Sequence, residues 1–383
     1  MVHTSYIELS KQALNANIRF LKTFLTDGTR YSMVIKANAY GHGIEDILPL
    51  IEECGIDHFS VFSVAEAMRA YEVKKKECDL MIMGWIDNDQ LEWAVDHDVS
   101  FYVFTFDRLK AACRVAKGLK KPARIHLEIE TGMHRTGFCE DELPGVIKML
   151  NEFQGDVVVE GVCTHFAGAE TISNYERIQK QINTFNKLCS WLADKDVKPL
   201  YRHSACSAAL LNFPETAMDM VRIGISSYGF WPSSETRMTH LLKQNYPEDP
   251  LKRVLSWKSK VMSVKKVEEG EYISYGSSYL TNRQAAIATV PVGYGYGFSR
   301  NLSNLGHVLI HEKRVAVIGA VNMNMMIVDI TDLNDVREGD EVVLIGTQGS
   351  LTITVSSFSD MNNSLNYELL TRLPKHIPRY VVD

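Results

Sequence analysis

Short apolar runs alternate with amphipathic segments through about the first 230 residues of the chain. The runs are typical of buried strands, and they lie at residues 31–36, 58–62, 80–85, 100–104, 123–130, 157–166, 200–205 and 219–228. Helical spacing recurs between them, at Ile44, Ile47, Leu48 and Ile51 and again at Ile178, Ile182, Phe185 and Leu188. This alternation predicts an α/β fold with a (β/α)8 barrel, while a doubly wound open sheet would give a similar pattern with fewer units.

The pattern changes after a polar, proline-containing stretch at residues 231–250, which predicts a linker. Strand-like runs follow at residues 254–267, 285–292, 307–310, 314–318, 325–330 and 341–345, with turns at 269–270 and 338–340. They predict a second, mainly antiparallel β domain. We therefore place the barrel at residues 10–240 and the β domain at 241–383, joined by residues 1–9.

Composition excludes several classes of protein. A length of 383 residues, 45% of them hydrophobic, suits a soluble protein with two cores, and the net charge of −6 argues against nucleic-acid and membrane partners. The N-terminus lacks a signal-peptide pattern, and no apolar run reaches the roughly 20 residues of a membrane span. The seven cysteines are irregularly spaced without a C-x-x-C pair, which indicates reduced thiols and no metal site. We expect a cytoplasmic protein.

One basic residue interrupts the first apolar run. Lys36 ends that run and begins the sequence KANAYGHG, so a strand delivers an amine to a glycine-rich turn. Such an amine can hold an aldehyde cofactor as a Schiff base, although most lysines at strand ends are simply solvated. Tyr40 follows the same strand, and later strands end in further polar residues, where a barrel places its chemistry: Arg135, His165, His203, Ser207, Arg222 and Gly224. Together they predict a site for an anionic ligand.

Each of these residues also has an interpretation that needs no ligand. His165 could be a core histidine, Arg222 a surface ion-pair partner, and Ser207 a helix cap. It is their shared position at strand ends that favours the ligand site.

Eight local sequences extend the pattern along essentially the whole chain: KANAYGHG, TGMHRTG, THFAG, HSACSA, VRIGISSYG, SYGSSY, VGYGYGF and VNMNMM. In this order they resemble the alanine racemase family, whose members depend on pyridoxal 5′-phosphate (PLP) and are typically homodimers with shared active sites. The resemblance implies an N-terminal barrel, a C-terminal β domain and an isomerase that interconverts L-alanine and D-alanine. Such an enzyme would provide D-alanine for cell-wall precursors.

The resemblance also implies roles by position. Lys36 would bind PLP as an imine and act as one base, and Tyr275 of the partner subunit would act as the other, on opposite faces of a PLP external aldimine. Arg222 would hydrogen-bond the pyridine nitrogen and, because arginine only donates, would keep that nitrogen unprotonated. The remaining expected contacts are the phosphate with Tyr40, Ser207, Gly224 and Ile225, the ring with His165, and the substrate with Arg135, Met323 and Tyr294.

Several positions depart from the family pattern. Many members carry a carbamylated lysine where this chain has Glu128, which would supply a negative charge directly or be an ordinary barrel-interior acid. Other departures are Cys206, Asn322, Asn324, Tyr296 and Lys375. These changes leave open a racemase of serine or of a broader set of small amino acids.

Three further alternatives come from the same fold. A PLP-dependent decarboxylase would carry an acid in place of Arg222 and a catalytic cysteine in the β domain, yet no cysteine follows Cys206. A PLP-dependent aldolase is excluded less firmly. A non-enzymatic PLP carrier would lack the second domain and Tyr275.

Overall fold

The computed structural model describes residues 3–244, 246, 248–356, 358 and 366–383. The chain forms two compact units. The barrel unit comprises Gln12–Ala37 and Ile47–Lys252, and the β unit comprises Met1–Lys11, Asn38–Asp46 and Arg253–Asp383. The first strand, β1 (Ser5–Ser10), belongs to the β unit.

Eight parallel strands form the sheet of the barrel unit: β2 (Arg30–Val34), β3 (His58–Val61), β4 (Asp79–Ile82), β5 (Ser100–Val103), β6 (Ala123–Glu128), β7 (Val157–Cys163), β8 (Tyr201–His203) and β9 (Met220–Ile223). Their order is β8-β7-β6-β5-β4-β3-β2-β9. Arg222 N–H donates to the carbonyl of Ala205 at 2.9 Å, which links the two end strands and nearly closes the sheet. The predicted (β/α)8 barrel is confirmed, and the open-sheet alternative is wrong.

The helices that accompany these strands are α1 (Lys11–Lys22), α2 (Ile44–Glu53), α3 (Val64–Val73), α4 (Leu91–Asp96), α5 (Phe106–Leu119), α6 (Leu143–Glu152), α7 (Tyr175–Asp194), α8 (Ser207–Asn212) and α9 (Ser234–Gln244). Side-chain caps begin two of them, since Ser63 accepts from Glu66 N–H and Thr105 accepts from Arg108 N–H. The apolar residues predicted to share one helix face are buried in α2 and α7. In the described part of the chain, no helix is long and apolar enough to cross a membrane.

Helix α9 lies where the sequence predicts a linker, so that prediction is wrong. Ser233 Oγ accepts from Thr236 N–H at 3.0 Å and caps the helix. The buried face is partly polar: Thr236 bonds Asn212 at 2.9 Å, and His240 lies 2.9 Å from the carbonyl of Leu211. Polar residues on both faces hide the apolar periodicity by which a helix is normally predicted.

The β unit is built on nine further strands: β10 (Leu255–Lys260), β11 (Ser263–Val267), β12 (Ala285–Val290), β13 (His307–Ile310), β14 (Lys313–Ala316), β15 (Met326–Asp329), β16 (Glu341–Gln348), β17 (Leu351–Ile353) and β18 (Arg379–Val382). One sheet has the order β14-β13-β16-β10-β1-β18, with β17 beside β16, and a second has the order β11-β12-β15. All pairings are antiparallel except that of β1 with β18, which confirms the mainly antiparallel domain. Helix α10 (Asn366–Thr371) precedes the last strand.

Candidate active site

A left-handed helical turn follows strand β2. The segment Lys36–Tyr40 is helical, yet φ is 53°, 56°, 54° and 50° at Ala37, Asn38, Ala39 and Tyr40. For L-residues other than glycine this conformation costs roughly 1–2 kcal/mol per residue, and asparagine tolerates it best. Strain of this kind persists where the surrounding structure enforces it, often at functional sites. The glycine-rich turn predicted after Lys36 is therefore more constrained than its sequence indicates.

Contacts within the β unit hold the end of this turn. His42 Nδ1 lies 2.9 Å from the carbonyl of Ala39 and 3.0 Å from that of Tyr40, so it must donate. Burial lowers the pKa of His42 to about 4, which keeps the ring neutral. Arg379 Nη2 donates to the carbonyl of Gly41 at 2.9 Å. Gly41 has φ 81°, and a Cβ there would lie 1.9 Å from the carbonyl oxygen of Leu370.

The Lys36 amine lies in a cationic environment within the barrel unit. Burial and, after it, the charge of Arg135 lower the pKa of Lys36, Cys206 acts in the opposite direction, and Arg222 adds to the lowering. A lowered pKa increases the fraction of neutral amine, which is the nucleophilic form. The strand-end lysine is therefore better suited to attack a carbonyl than a solvated lysine would be.

Arg222 is held entirely by neutral acceptors. Its Nη1 lies 2.5 Å from His203 Nδ1 and donates to the His203 carbonyl at 2.9 Å, and its Nη2 donates to the carbonyls of Thr164 at 2.8 Å and Ser204 at 3.2 Å. Arg222 is 5% exposed, so the alternative of a surface ion-pair partner is wrong. No carboxylate bonds this guanidinium among the described residues, and its positive charge stays available to a ligand.

His165, at the end of β7, is half-buried rather than part of the packed core. Burial, with contributions from the charges of Arg222, Arg135 and Lys36, lowers the pKa of His165 to about 3. The imidazole is therefore neutral at pH 7 and can lie against an aromatic ring without adding charge to the site.

Backbone and side-chain groups near the end of β9 converge on Ser207. Its Oγ accepts from Gly224 N–H at 3.1 Å and from Ser226 N–H at 3.5 Å. Ser226 Oγ is buried and has no partner among the described residues. Ile225 follows Gly224 in the same short 3-10 turn and is buried. Because Ser207 Oγ accepts these two bonds, its own O–H is left to donate, which suits an anion such as a phosphate.

Glu128, at the end of β6, is 4% exposed. Burial raises the pKa of Glu128, although a hydrogen bond from Thr136 and the charges of Arg135 and Arg222 act against this. Arg135 is exposed, and no ion pair joins it to Glu128 among the described residues. Glu128 acts on the two arginines electrostatically, from within the barrel.

The β unit brings the other predicted residues to its surface. Tyr275, Met323 and Tyr294 are 72%, 57% and 41% exposed. Backbone bonds connect two of their segments, since Tyr294 N–H donates to the Asn322 carbonyl at 3.0 Å. Ser274, which sequence reasoning missed, donates to Asn322 Oδ1 at 3.2 Å and has φ 66°. Its positive φ is a strained value that only the structure reveals.

Other residues of the β unit contact aromatic rings. Tyr40 meets Tyr367 edge-on with ring centroids 6.2 Å apart, and Tyr367 was not predicted. Tyr296 contacts His376 at 5.5 Å in the same manner. Lys375 is one of the positions that depart from the family pattern, and its backbone carbonyl accepts a hydrogen bond from Arg379 at 3.0 Å.

Comparisons with known proteins agree with this geometry. The alanine racemase N-terminal domain family matches residues 9–232, and the alanine racemase C-terminal domain family matches residues 254–381. The alanine racemase of Leptospira interrogans is 35% identical over 383 residues, covering 100% of this chain and 96% of that protein. The alanine racemase of Clostridium novyi is 33% identical over 380 residues, covering 98% and 95%.

Solved structures give the same result. The alanine racemase of Bacillus anthracis with bound L-Ala-P has a TM-score of 0.91 at 31% identity, covering 100% of this chain and 96% of that chain. The alanine racemase of Streptomyces lavendulae has a TM-score of 0.91 at 28% identity, covering 100% and 98%. The chain belongs to the alanine racemase family and is an amino-acid racemase.

Proposed function

We propose that this chain interconverts L-alanine and D-alanine with PLP as its cofactor. The observation that carries the proposal is the environment of the Lys36 amine in a member of the alanine racemase family. Burial and the charge of Arg135 lower the pKa of this amine. Enzymes of this family depend on PLP. A neutral amine at the end of a barrel strand is the group that an aldehyde cofactor requires.

The residues of the barrel unit fit PLP. The Lys36 amine would bind the aldehyde carbon, and the Arg222 guanidinium would donate to the pyridine nitrogen. Ser207 Oγ accepts from the N–H groups of Gly224 and Ser226, so its own hydrogen would be left to bond the phosphate. Ile225 would complete the contacts of this unit with the phosphate, and the contact predicted for Tyr40, a residue of the β unit, stays a prediction. When bound, PLP withdraws electron density from the substrate Cα and makes its hydrogen acidic.

Two side chains would then move the proton. Lys36 Nζ would accept it on one face of the substrate, and Tyr275 Oη of the partner subunit would deliver another to the opposite face. The 72% exposure of Tyr275 supports this assignment, because a side chain that serves a second chain must project from its own surface. The proposal therefore includes a homodimer.

Arg222 would restrict the reaction to racemisation. An arginine cannot accept a proton, so it would leave the pyridine nitrogen unprotonated and the cofactor a weak electron sink. Replacing Arg222 by Glu should allow that nitrogen to be protonated and increase the share of amino acid converted to keto acid. An unchanged ratio of keto acid to D-alanine would contradict this role.

Arg135, Met323 and Tyr294 would surround the substrate. Arg135 is exposed within the barrel unit, where its guanidinium is available for a carboxylate. The amides of Asn322 and Asn324 carry no charge, which leaves serine or other small amino acids as alternative substrates. A decarboxylase on this fold is disfavoured by Arg222, since such enzymes place an acid there.

The decisive experiment incubates the PLP-loaded protein with a panel of L-amino acids in D2O. Inversion is followed by chiral chromatography and exchange by α-deuterium incorporation. We expect L-alanine to invert fastest, with deuterium in the product. Fastest inversion of serine would change the substrate, and exchange without inversion for every amino acid would overturn the proposal.

A matched pair of lysine variants tests the attachment site. Borohydride reduction followed by peptide mass spectrometry should find the cofactor on Lys36. Lys36→Ala should lose both the adduct and turnover, whereas Lys187→Ala, which removes an exposed partner of Glu140, should keep both. An adduct on another lysine would overturn the assignment.

A further inference from the structure

A row of charged and polar side chains crosses the interior of the barrel unit from Arg222 to Arg124. Arg222 Nη1 lies 2.5 Å from His203 Nδ1, and His203 Nε2 lies 2.8 Å from His126 Nδ1. His126 Nε2 lies 3.5 Å from Glu160 Oε2, a distance at which the contact is electrostatic. Arg124 donates to Glu160 from Nε at 3.1 Å and from Nη2 at 2.5 Å. Both imidazoles are 0% exposed.

The hydrogen-bond donors and acceptors of these side chains determine which nitrogen atoms carry a hydrogen. A guanidinium has no acceptor, so His203 Nδ1 must accept from Arg222 and carry no proton. A neutral imidazole has one N–H, which in His203 is then on Nε2 and points at His126 Nδ1. By the same argument His126 Nδ1 accepts, and its own proton lies on Nε2 towards Glu160. From Arg222 to Glu160 every hydrogen of the row points away from Arg222, and Arg124 donates to Glu160 from the opposite end.

Both rings are neutral, as this argument requires. Burial holds the pKa of His126 below its ordinary value despite the nearby Glu160. Burial and the charge of Arg222 hold the pKa of His203 well below its ordinary value. A second proton on His203 would place an N–H against the Arg222 N–H in a dry interior, where an unpaired polar contact is costly.

The backbone is shaped to admit the His126 ring. The register of β6 with β7 shifts between Ile125 and His126, which brings Gly161 opposite His126. A Cβ on Gly161 would lie 2.0 Å from His126 Nδ1, so any larger residue would displace the ring from its partner. The bulge and the glycine together indicate a built position for this imidazole rather than a loosely filled core.

We propose that His126 is a positioning residue that holds His203 in the Nε2–H tautomer and thereby orients Arg222. If the acceptor on His126 is removed, the N–H of His203 has no partner in the barrel interior, and the Nδ1–H tautomer becomes competitive. That tautomer places an N–H against Arg222 Nη1 and displaces the guanidinium. Only the consequence at the pyridine nitrogen depends on the proposed function above.

Nitrogen NMR of histidine-labelled protein without PLP tests the tautomers directly. We expect wild-type His203 to be unprotonated on Nδ1 and protonated on Nε2. His126→Leu should shift His203 towards the other tautomer, whereas His126→Asn, whose Oδ1 can accept in place of Nδ1, should keep the wild-type signal. His58→Asn is the matched control, since His58 is also buried, at 1% exposed, but bonds Ser32 at 2.8 Å and makes no hydrogen bond to the row among the described residues.

The wild-type spectrum alone can overturn the proposal, so the test does not depend on whether the His126→Leu protein folds. Protonation of His203 on Nδ1, or on both nitrogens, would contradict it. So would an unchanged His203 signal in a folded His126→Leu protein. A failure of PLP to bind at Lys36 would refute the proposed function but would leave this measurement valid, so the two failures can be distinguished.

Kinetics of the PLP-loaded protein give a second readout. The loss of one buried hydrogen bond is about a tenfold effect, so we expect kcat of His126→Leu to fall about tenfold with little change in KM for alanine. The keto acid by-product should rise, as for Arg222→Glu. His126→Asn should restore most of kcat. A rise in KM alone would indicate a general loss of structure and contradict a role through Arg222.

Discussion

The interior of the barrel unit contains charged and titratable side chains of a kind that the interior of the β unit almost lacks. The buried acidic, basic and histidine side chains of the barrel unit are Glu52, His58, Arg108, His126, Glu128, Glu160, His203, Arg222 and His240. In the described part of the β unit, His42 is the buried side chain of this kind, and the core is formed by groups such as Trp257 and Phe298. Polar burial is costly, so its concentration in one unit needs a reason.

The difference agrees with the separate contributions that the proposed function gives to the two units. In the barrel unit, Arg222 and His203 are oriented by partners of the same chain, and this half of the candidate site is organised in advance. In the β unit, the candidate residues Tyr275, Met323 and Tyr294 lie on an exposed surface. Under the proposed function, one unit would supply a preorganised interior, and the other would supply groups whose environment a second chain would complete.

Mixing two inactive variants tests this difference between the units, and it should give the largest change in activity. Lys36→Ala and Tyr275→Phe should each lose nearly all racemase activity. After subunit exchange, half of the dimers are mixed and each mixed dimer has one intact site, so about a quarter of wild-type activity should return. Activity is measured by chiral chromatography before and after exchange. If mixing restores nothing, the two residues act within one chain and the shared site is wrong.

Replacing a buried arginine of the barrel unit should lower the free energy of unfolding more than replacing an exposed arginine of the β unit. Arg222→Met leaves four neutral acceptors without a donor, so we expect the free energy of unfolding to fall by about 3–5 kcal/mol. Arg372→Met removes an exposed pair with Glu368 and should cost less than about 1 kcal/mol. Urea titration measures both. Equal losses would mean that the barrel interior does not depend on this guanidinium.

The barrel and the β domain were predictable because their strands are short, apolar and bounded by turns. Lys36 was predictable for the same reason, as a charge at the end of an apolar run. The left-handed turn was not predictable, because one contact that holds its end, from Arg379 to the carbonyl of Gly41, joins residues 338 positions apart in the sequence. Helix α9 was hidden by the polar residues on its buried face.

The row through the barrel left a signal that sequence reasoning did not use. Arg124, His126 and Glu128 occupy alternate positions of one strand, so they share one face, and an apolar strand should not carry three such residues inside a barrel. Gly161 opposite His126 left no signal of this kind, because its requirement comes from the register shift between β6 and β7.

Buried histidines should make the free energy of unfolding decrease at low pH. Burial and the charge of Arg30 lower the pKa of His58 to about 3, below the value of about 6.5 in the unfolded chain. The unfolded state therefore binds one more proton between these values, and stability falls as the pH falls through that window. His58→Asn can keep the bond to Ser32 but cannot titrate. It should reduce the pH dependence by up to about 1.4 kcal/mol per pH unit.

Urea titrations of the wild type and His58→Asn at several pH values between about 4 and 7 give this slope. An unchanged slope would mean that His58 takes up its proton in the folded state, contrary to its burial.

The smallest expected effect concerns the strained turn after β2, and a pair of identical substitutions isolates it. Ala37 is exposed with φ 53°, so Ala37→Gly relieves left-handed strain and should stabilise the protein by up to about 1 kcal/mol. Ala16 is exposed in the interior of α1, where the same substitution should destabilise by about 1 kcal/mol. Thermal unfolding of the two variants compares them directly. Destabilisation by both would show that Ala37 is not strained, whereas opposite signs would show that the turn following Lys36 is maintained at a cost to stability.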